Sequence, residues 1–299
     1  MKRIKRKIIE ISPQVILDIY FNTKNMILSQ KVIDDIEIYA KANNLDYIRE
    51  LAFLKKKKMI VTFPYEYTQK YNWKNINVVY DNIKKLPYVL HDKKKLYFPP
   101  NFTEIEIKKL YNSLICEQDK DSPHKYFDQD MAIDKEDIFL DVGAAEGLIS
   151  LEIIDKVKAV YLFENEELWK DALAATFEPW KNKVKIVSKY VSNKNSFDQV
   201  TLDRYLFDQE RSQTYFLKMD IEGAEGVVLE NIKPLLKQYS FKIACCTYHN
   251  EKDAEQFKQL FEEIKYSIRF SKGYMITQSH EPRLLRAPYF RKAMLYAKK

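Results

Sequence analysis

The chain has 299 residues and carries 50 lysines and arginines against 43 aspartates and glutamates, a formal net charge of +7. Hydrophobic residues make up 46% of it and aromatic residues 14%, which excludes an intrinsically disordered chain. No apolar run reaches the ~20 residues that span a bilayer, and the basic start has no signal-peptide cleavage site. We therefore expect a cytoplasmic protein of about two domains without a transmembrane segment, and leave peripheral membrane contact open.

Residues 1–125 contain no glycine and are predicted to form an accessory region of helices and one small hairpin. The hairpin strands are 89–91 and 95–98. A helix follows, which begins with a capping box of Thr103 and Glu106.

From residue 126 the pattern changes to alternating strands and helices, and we predict a core domain over 126–280. A hairpin of 266–271 and 274–278 closes it, and residues 281–299 are predicted to be a basic tail. This order indicates a doubly wound α/β domain with a mixed sheet edge. The preceding strand candidates are short apolar runs, typical of parallel strands covered on both faces: 137–143, 159–164, 184–191, 214–220 and 241–249.

Glycine is rare, and its placement is informative. The chain has only five glycines, where average usage of about 7% predicts about 20. Four of them fall in DVGAAEG (141–147) and DIEGAEG (220–226), and the fifth, Gly273, lies in the predicted hairpin turn. Because so sparing a chain is expected to use glycine where the backbone requires it, these two stretches are the first candidates for function.

Ligands of such a sheet bind beyond the carboxyl ends of its strands. The first strand runs into the small-residue loop 141–147, and the second ends at Glu164, an acid suited to a ribose diol. A dinucleotide motif would need glycine where Ala145 and Leu148 stand, and the acids of the loop suit a sulfonium better than a pyrophosphate. We therefore predict a site for S-adenosylmethionine. The assigned donor-binding residues are Asp141, Gly143, Ala144, Ala145, Glu146, Gly147, Glu164, Asn165, Tyr190, Val191 and Asp220.

The second glycine stretch places three carboxylates around a strand-to-helix turn. Asp220, at the strand tip, is the candidate for function. Glu225 is expected only to favour the helix N-terminus.

Four motifs in order, DVGAAEG, the acid in LFENEE, TLDRYL (201–206) and FLKMDIEGAE, resemble those of the FkbM-type S-adenosylmethionine-dependent methyltransferases. The resemblance covers about residues 137–280. It implies a Rossmann-like class I methyltransferase core, with a mixed seven-stranded sheet whose last strand is antiparallel. It also implies methylation of a hydroxyl oxygen, and hence a glycan, nucleotide-sugar or lipid-linked sugar as acceptor. The mainly helical extension over 1–125 lies outside the family pattern, and we assign it a role in recognising this acceptor. FENEE departs from the usual FEPN, which keeps the acid but alters the ribose side.

The stretch CEQDKDSPHKYF (116–127) resembles a segment that precedes the core in a subgroup of this family. Its alternative interpretation is a plain linker. The resemblance favours a loop over the donor or acceptor site, so we assign Ser122, His124 and Tyr126, with Glu222, to the substrate or lid.

Methyl transfer to a sugar hydroxyl needs a base as the C–O bond forms. His249 ends the fifth strand, which predicts that it faces the same cleft as Asp220. We expect His249 to accept the hydroxyl proton and Asp220 to orient the base or the acceptor. A Mg²⁺ ion held by Asp220, Glu222 and His249 is the alternative, ranked below the metal-free base.

Three rival functions stay open at this point. A nucleic-acid methyltransferase would explain the positive charge, but N/D-P-P-Y/F is absent after the fourth strand, so no nucleic-acid partner is expected. The others are a dinucleotide-dependent oxidoreductase and a glycan-binding module without activity. The three cysteines (Cys116, Cys245 and Cys246) have no metal-binding spacing, and the vicinal pair is expected to be buried thiols.

Overall fold

A computed structural model describes residues 13–206 and 213–299 and divides the chain into two compact units. The first comprises the described part of Met1–Glu66 together with Ile276–Phe290, and the second comprises Tyr67–Met275 and Arg291–Lys299. The accessory region predicted over 1–125 is thus shared between the two units. Among the described residues, no helix has both the length and the apolar character that crossing a membrane requires.

The first unit is built on two helices, α1 (Pro13–Ala42) and α2 (Ile48–Lys57). Ile33 and Ile36 of α1 and Leu54 of α2 have no exposed surface. The ring of Phe290 packs edge-on against Tyr47, with ring centroids 4.6 Å apart. The late segment of the chain therefore completes the core of this unit.

The second unit begins with a small antiparallel sheet of β1 (Val79–Asp81), β2 (Leu86–His91) and β3 (Lys94–Tyr97). This confirms the predicted hairpin and adds a strand to it. Helix α3 (Glu104–Glu117) follows, and its capping box of Thr103 and Glu106 is confirmed.

A seven-stranded sheet forms the core of the second unit. It has the order β11-β12-β10-β9-β4-β5-β6, in which β12 is antiparallel to both neighbours and every other pair is parallel. The predicted mixed sheet with an antiparallel last strand is confirmed. A separate two-stranded pair is formed by β7 and β8. The elements are β4 (Ile138–Val142), α4 (Leu148–Ile153), β5 (Ala159–Phe163), α5 (Lys170–Phe177), β6 (Val184–Val187), β7 (Tyr190–Val191), β8 (Gln199–Val200), β9 (Thr214–Met219), α6 (Glu225–Gln238), β10 (Ser240–Cys246), α7 (Asp253–Glu263), β11 (Ser267–Phe270) and β12 (Met294–Lys298).

The antiparallel strand is not the one predicted. The hairpin of 266–271 and 274–278 is wrong, because β11 pairs with β12 and Met275 makes only an isolated bridge to Arg291. Met294–Ala297 is apolar and buried on both faces, so it occupies an interior position between β10 and β11. The range predicted as a basic tail therefore contains a strand of the sheet.

The predicted strand over 184–191 is also divided. Val184–Val187 belongs to the large sheet, whereas Tyr190–Val191 pairs in parallel with Gln199–Val200. The short segment at residues 188–189 lets the chain leave the sheet edge, which places Tyr190 and Val191 beside the carboxyl ends of the strands.

Candidate active site

The candidate site lies where β4 has parallel neighbours on both sides, β9 and β5. The helices after β4 and β9 leave in different directions at such a point, so a crevice opens beyond the strand ends. A cavity of about 420 Å³ occupies it. Its wall contains eight of the predicted site residues, namely Gly143, Ala145, Glu164, Asn165, Tyr190, Val191, Asp220 and Glu222.

Gly143 is required by the close approach of two strand ends. Its φ is +80°, and a Cβ atom there would lie 1.8 Å from the carbonyl oxygen of Asp220. The backbone N–H groups of Gly143 and Ala144 both donate to the Phe163 carbonyl, at 3.0 and 3.1 Å. The loop is thereby held against both flanking strands, and its residues Gly143 and Ala145 line the cavity.

Glu164 closes one side of the cavity. Its Oε2 accepts a hydrogen bond of 2.8 Å from Ala145 N, and its Oε1 accepts one of 2.7 Å from Glu166 N. Each carboxylate oxygen can accept a second bond, so Glu164 retains the capacity to bind a diol. The two backbone donors orient it for that role.

Four assigned donor residues do not line the cavity: Asp141, Ala144, Glu146 and Gly147. Asp141 is fully buried, 3.0 Å from Lys218 Nζ, and accepts a 2.6 Å bond from Ser150 Oγ. The ammonium group of Lys218 also donates to the Gly143 carbonyl. Asp141 therefore neutralises a buried lysine that supports the loop, while its assignment to the donor stays a prediction.

Burial has opposite consequences for Lys218 and Glu146. It tends to lower the pKa of Lys218, but the carboxylates of Asp141 and Asp220 outweigh it and raise that pKa above its usual value. For Glu146 burial outweighs the opposing effect of Lys218 and raises the pKa to about 7. Lys218 is thus held as a cation under the loop.

Asp220 is held by two tyrosine hydroxyls. Tyr126 donates to Oδ2 at 2.8 Å, and Tyr248 donates to Oδ1 at 3.1 Å. Burial tends to raise the pKa of Asp220, but the nearby His124 and Lys218 hold it below its usual value. Asp220 is therefore an oriented carboxylate at the cavity.

His249 lies next to Asp220 among three carboxylates. Its Nε2 is 3.4 Å from Asp220 Oδ1 and 3.6 Å from Glu222 Oε2, whereas its Nδ1 is 2.9 Å from Glu225 Oε1. Burial tends to lower the pKa of His249, but Glu225, and then the other two carboxylates, raise it above 6.5. The two predicted catalytic residues are thus brought together, with an acid that the sequence analysis placed only at a helix end.

The predicted lid segment packs onto Asp220. Ser122 Oγ accepts a 3.1 Å bond from His124 N, and His124 Nε2 lies 3.5 Å from Cys246 Sγ and 3.8 Å from Asp220 Oδ2. Burial lowers the pKa of His124 to about 4, so this imidazole is neutral at physiological pH. The adjacent Cys245 and Cys246 are buried free thiols, as predicted.

Three residues of this arrangement were missed at the sequence level: Lys218, Glu225 and Tyr248. Lys218 and Glu225 belong to the FLKMDIEGAE motif and Tyr248 lies in the strand candidate 241–249, but the contact that each makes depends on the fold. Lys218 lies opposite Asp141 in the β4–β9 register. The alternation of side chains along the two adjacent strands β4 and β9 is the sequence signal that could have identified this pair.

The described part of the chain contains two groups of side chains that could hold a cation. They are His124 with Asp220 and Cys246, and Asp220 with Glu225 and His249. Glu222, part of the alternative Mg²⁺ prediction, is 92% exposed and belongs to neither group.

Residues 140–275 match the family model described as Methyltransferase FkbM domain. The chain contains an FkbM methyltransferase domain. This FkbM domain includes every assigned donor residue, Glu222 and both proposed catalytic residues. Ser122, His124 and Tyr126 precede it, and β12 follows it.

Solved structures of low sequence identity resemble part of the chain. The methyltransferase FkbM from Methylobacillus flagellatus KT has 16% identity and a TM-score of 0.45, over 65% of this chain and 53% of that one. A putative methyltransferase from Streptococcus mutans in complex with SAH has 14% identity and a TM-score of 0.38, over 56% and 91%. A putative RNA methyltransferase from Pyrococcus horikoshii has 13% identity and a TM-score of 0.34, over 56% and 74%.

The chain thus spans about half the length of the Methylobacillus protein. No curated protein matches the chain at a significant level of similarity.

Proposed function

We propose that this chain is an S-adenosylmethionine-dependent O-methyltransferase that acts on a hydroxyl of a sugar or glycan. The observation that carries the proposal is the position of His249. Its Nε2 lies 3.4 Å from Asp220, and Asp220 lines the crevice at the carboxyl edge of the sheet. A base at this place can take a proton from an acceptor that reaches the donor cavity.

The residues of the cavity fit a cationic donor. Its wall contains four carboxylates, Glu164, Glu166, Asp220 and Glu222, and one cation, Lys189. Such a wall favours a sulfonium and an ammonium group over a pyrophosphate.

S-adenosylmethionine, when bound, supplies an electrophilic methyl group. Glu164 would bind its ribose hydroxyls, and Tyr190 and Val191 would line the adenine side. The Gly143 loop and Asp220 would hold the methionine end.

The residues around His249 fit an alcohol as the acceptor. A sugar hydroxyl loses its proton reluctantly, so a base must accept it as the new bond forms. In our proposal His249 Nε2 accepts this proton, and Asp220, oriented by two tyrosine hydroxyls, positions the acceptor. Glycans, nucleotide sugars and lipid-linked sugars all present such a group.

Donor binding and transfer are tested separately. Calorimetric titrations with S-adenosylhomocysteine and with NAD(H) are expected to show binding of the first alone. The protein is then incubated with methyl-labelled donor and fractionated glycan extract, and the label is expected on a sugar oxygen by NMR. Binding of NAD(H) alone, or label in nucleic acid and none in glycan, would contradict the proposal.

The pH dependence of kcat/KM is expected to follow His249. Since its pKa lies above 6.5, kcat/KM rises about tenfold per pH unit below that pKa and levels off above it. Glu146 and the half-buried Glu117 have pKa values raised by burial to about 7 and about 8. The controls are therefore Glu146→Gln and Glu117→Gln, which are expected to keep the rising limb. Loss of the limb in either control would assign it to that carboxyl.

A further inference from the structure

We propose that a polar groove between α6 and α7 binds the sugars of the acceptor that flank the methylated hydroxyl, and that these sugars carry no acidic group. This inference rests on the proposed function and narrows its substrate class. The groove has a volume of about 1250 Å³, against about 420 Å³ for the donor cavity. It is therefore large enough to take more of an acceptor than the reacting sugar alone.

The groove begins beside the donor cavity. Glu222 lines the cavity, and Gly223, the next residue, lines the groove. Asn250, which follows His249, also lines the groove, and its Nδ2 donates to the Gly223 carbonyl at 3.3 Å. An acceptor whose hydroxyl reaches His249 therefore meets the groove at Asn250.

From there the groove follows α7. The first and last residues of that helix, Asp253 and Glu263, both line it. A helix of 11 residues rises ~15 Å. Since a pyranose ring is much shorter than this, several sugars can lie along the groove in a row.

The groove offers the hydrogen-bonding groups that suit sugars. Asn231 of α6 and Gln256 of α7 line it, and neither side-chain amide makes a hydrogen bond to any residue that the structure describes. An amide both donates and accepts, as a sugar hydroxyl does. Phe257 and Leu260 add apolar surface, which suits the C–H faces of a sugar ring.

The charge of the groove argues against an acidic acceptor. Lys233 lies 2.6 Å from Glu263 and balances one acid, but the excess of negative charge remains. Phosphate, sulfate or carboxylate groups in the groove would be repelled. The charged residues that line it are four acids, Glu230, Glu251, Asp253 and Glu263, and one cation, Lys252.

Gly226 leaves space in the groove where α6 begins. The other four glycines of the chain have positive φ values, whereas Gly226 does not. A Cβ atom at this position would lie 3.4 Å from Phe257 Cε1, an ordinary contact. Because glycine is less favourable than alanine in a helix, and neither the backbone nor crowding requires it here, we attribute Gly226 to the open groove that it lines.

The test measures sugar binding without turnover. A glycan extract is separated by anion exchange into a neutral and an acidic fraction. Saturation-transfer difference NMR with the full chain and S-adenosylhomocysteine then shows which fraction binds, and the neutral one is expected to. Asn231→Ala and Gln256→Ala are each expected to weaken its binding about 2- to 10-fold, the loss of about one hydrogen bond. Gly226→Ala is expected to weaken it with no fall in Tm.

The matched control is Gln238→Ala, at an exposed glutamine that ends α6 outside the groove. It is expected to bind the neutral fraction as wild type does. Binding of the acidic fraction alone overturns the proposal. So does a set of groove variants that all bind the neutral fraction as tightly as Gln238→Ala.

This result is separate from the proposed function. If neutral sugars bind and the groove variants weaken that binding, but no sugar is labelled by the donor, the proposed function fails and the groove stands. In turnover the same variants are expected to raise the acceptor KM and to keep kcat within about twofold of wild type. If sugars are labelled while the acceptor KM of every groove variant stays at the wild-type value, only the groove fails.

Discussion

Replacement of His249 with alanine is expected to lower kcat by about 10²- to 10⁴-fold, the usual contribution of a general base. Binding of S-adenosylhomocysteine is expected to stay within a few-fold of wild type, because the His249 side chain does not line the donor cavity. Turnover of methyl-labelled donor and calorimetric titration of S-adenosylhomocysteine measure the two effects on the same preparation.

The matched control is His280→Ala, which makes the same substitution at an exposed histidine outside the FkbM domain. It is expected to keep wild-type turnover. If His249→Ala turned over donor as fast as His280→Ala, His249 would not be the base. A loss of donor affinity that matched the loss of kcat would point to a collapsed site instead.

Replacement of Lys218 with methionine is expected to destabilise the fold by about 3–5 kcal/mol, the cost of leaving one member of a buried ion pair alone. Methionine keeps most of the length of the side chain but removes the ammonium group. Asp141 would then retain Ser150 as a partner but lose the cation 3.0 Å away, and the Gly143 carbonyl would lose its donor. Urea unfolding followed by circular dichroism measures the change.

Two further variants test this interpretation. Lys170→Met removes an exposed partner of Glu167 and is expected to cost less than about 1 kcal/mol. The double variant Asp141→Asn with Lys218→Met removes both charges and is expected to recover part of the loss. A Lys218→Met protein as stable as Lys170→Met would show that the buried pair does not support the loop.

The sequence predicted the architecture well where local patterns decide it. The capping box at Thr103 and the apolar runs that became β4, β5, β9 and β10 depend on neighbouring residues alone. The sequence did not predict β12, since its place between β10 and β11 depends on two partner strands that are set by the whole sheet. The turn residues Lys272-Gly273 are compatible both with a hairpin of 266–271 and 274–278 and with the observed pairing of β11 with β12. Only the pairing of the whole sheet selects between these two arrangements.

In the candidate site, too, the sequence determined some features and the tertiary structure determined others. The carboxyl ends of parallel strands share one edge, so the sequence alone was enough to assign Gly143, Glu164 and Asp220 to one cavity, and they line it together. What only the tertiary structure decided is the partner of each charge. Lys218 neutralises Asp141 because the two lie opposite each other in the β4–β9 register. Glu225, the first residue of α6, meets His249 just after the end of β10, and a contact below 3 Å between such side chains follows from packing, which no local pattern encodes.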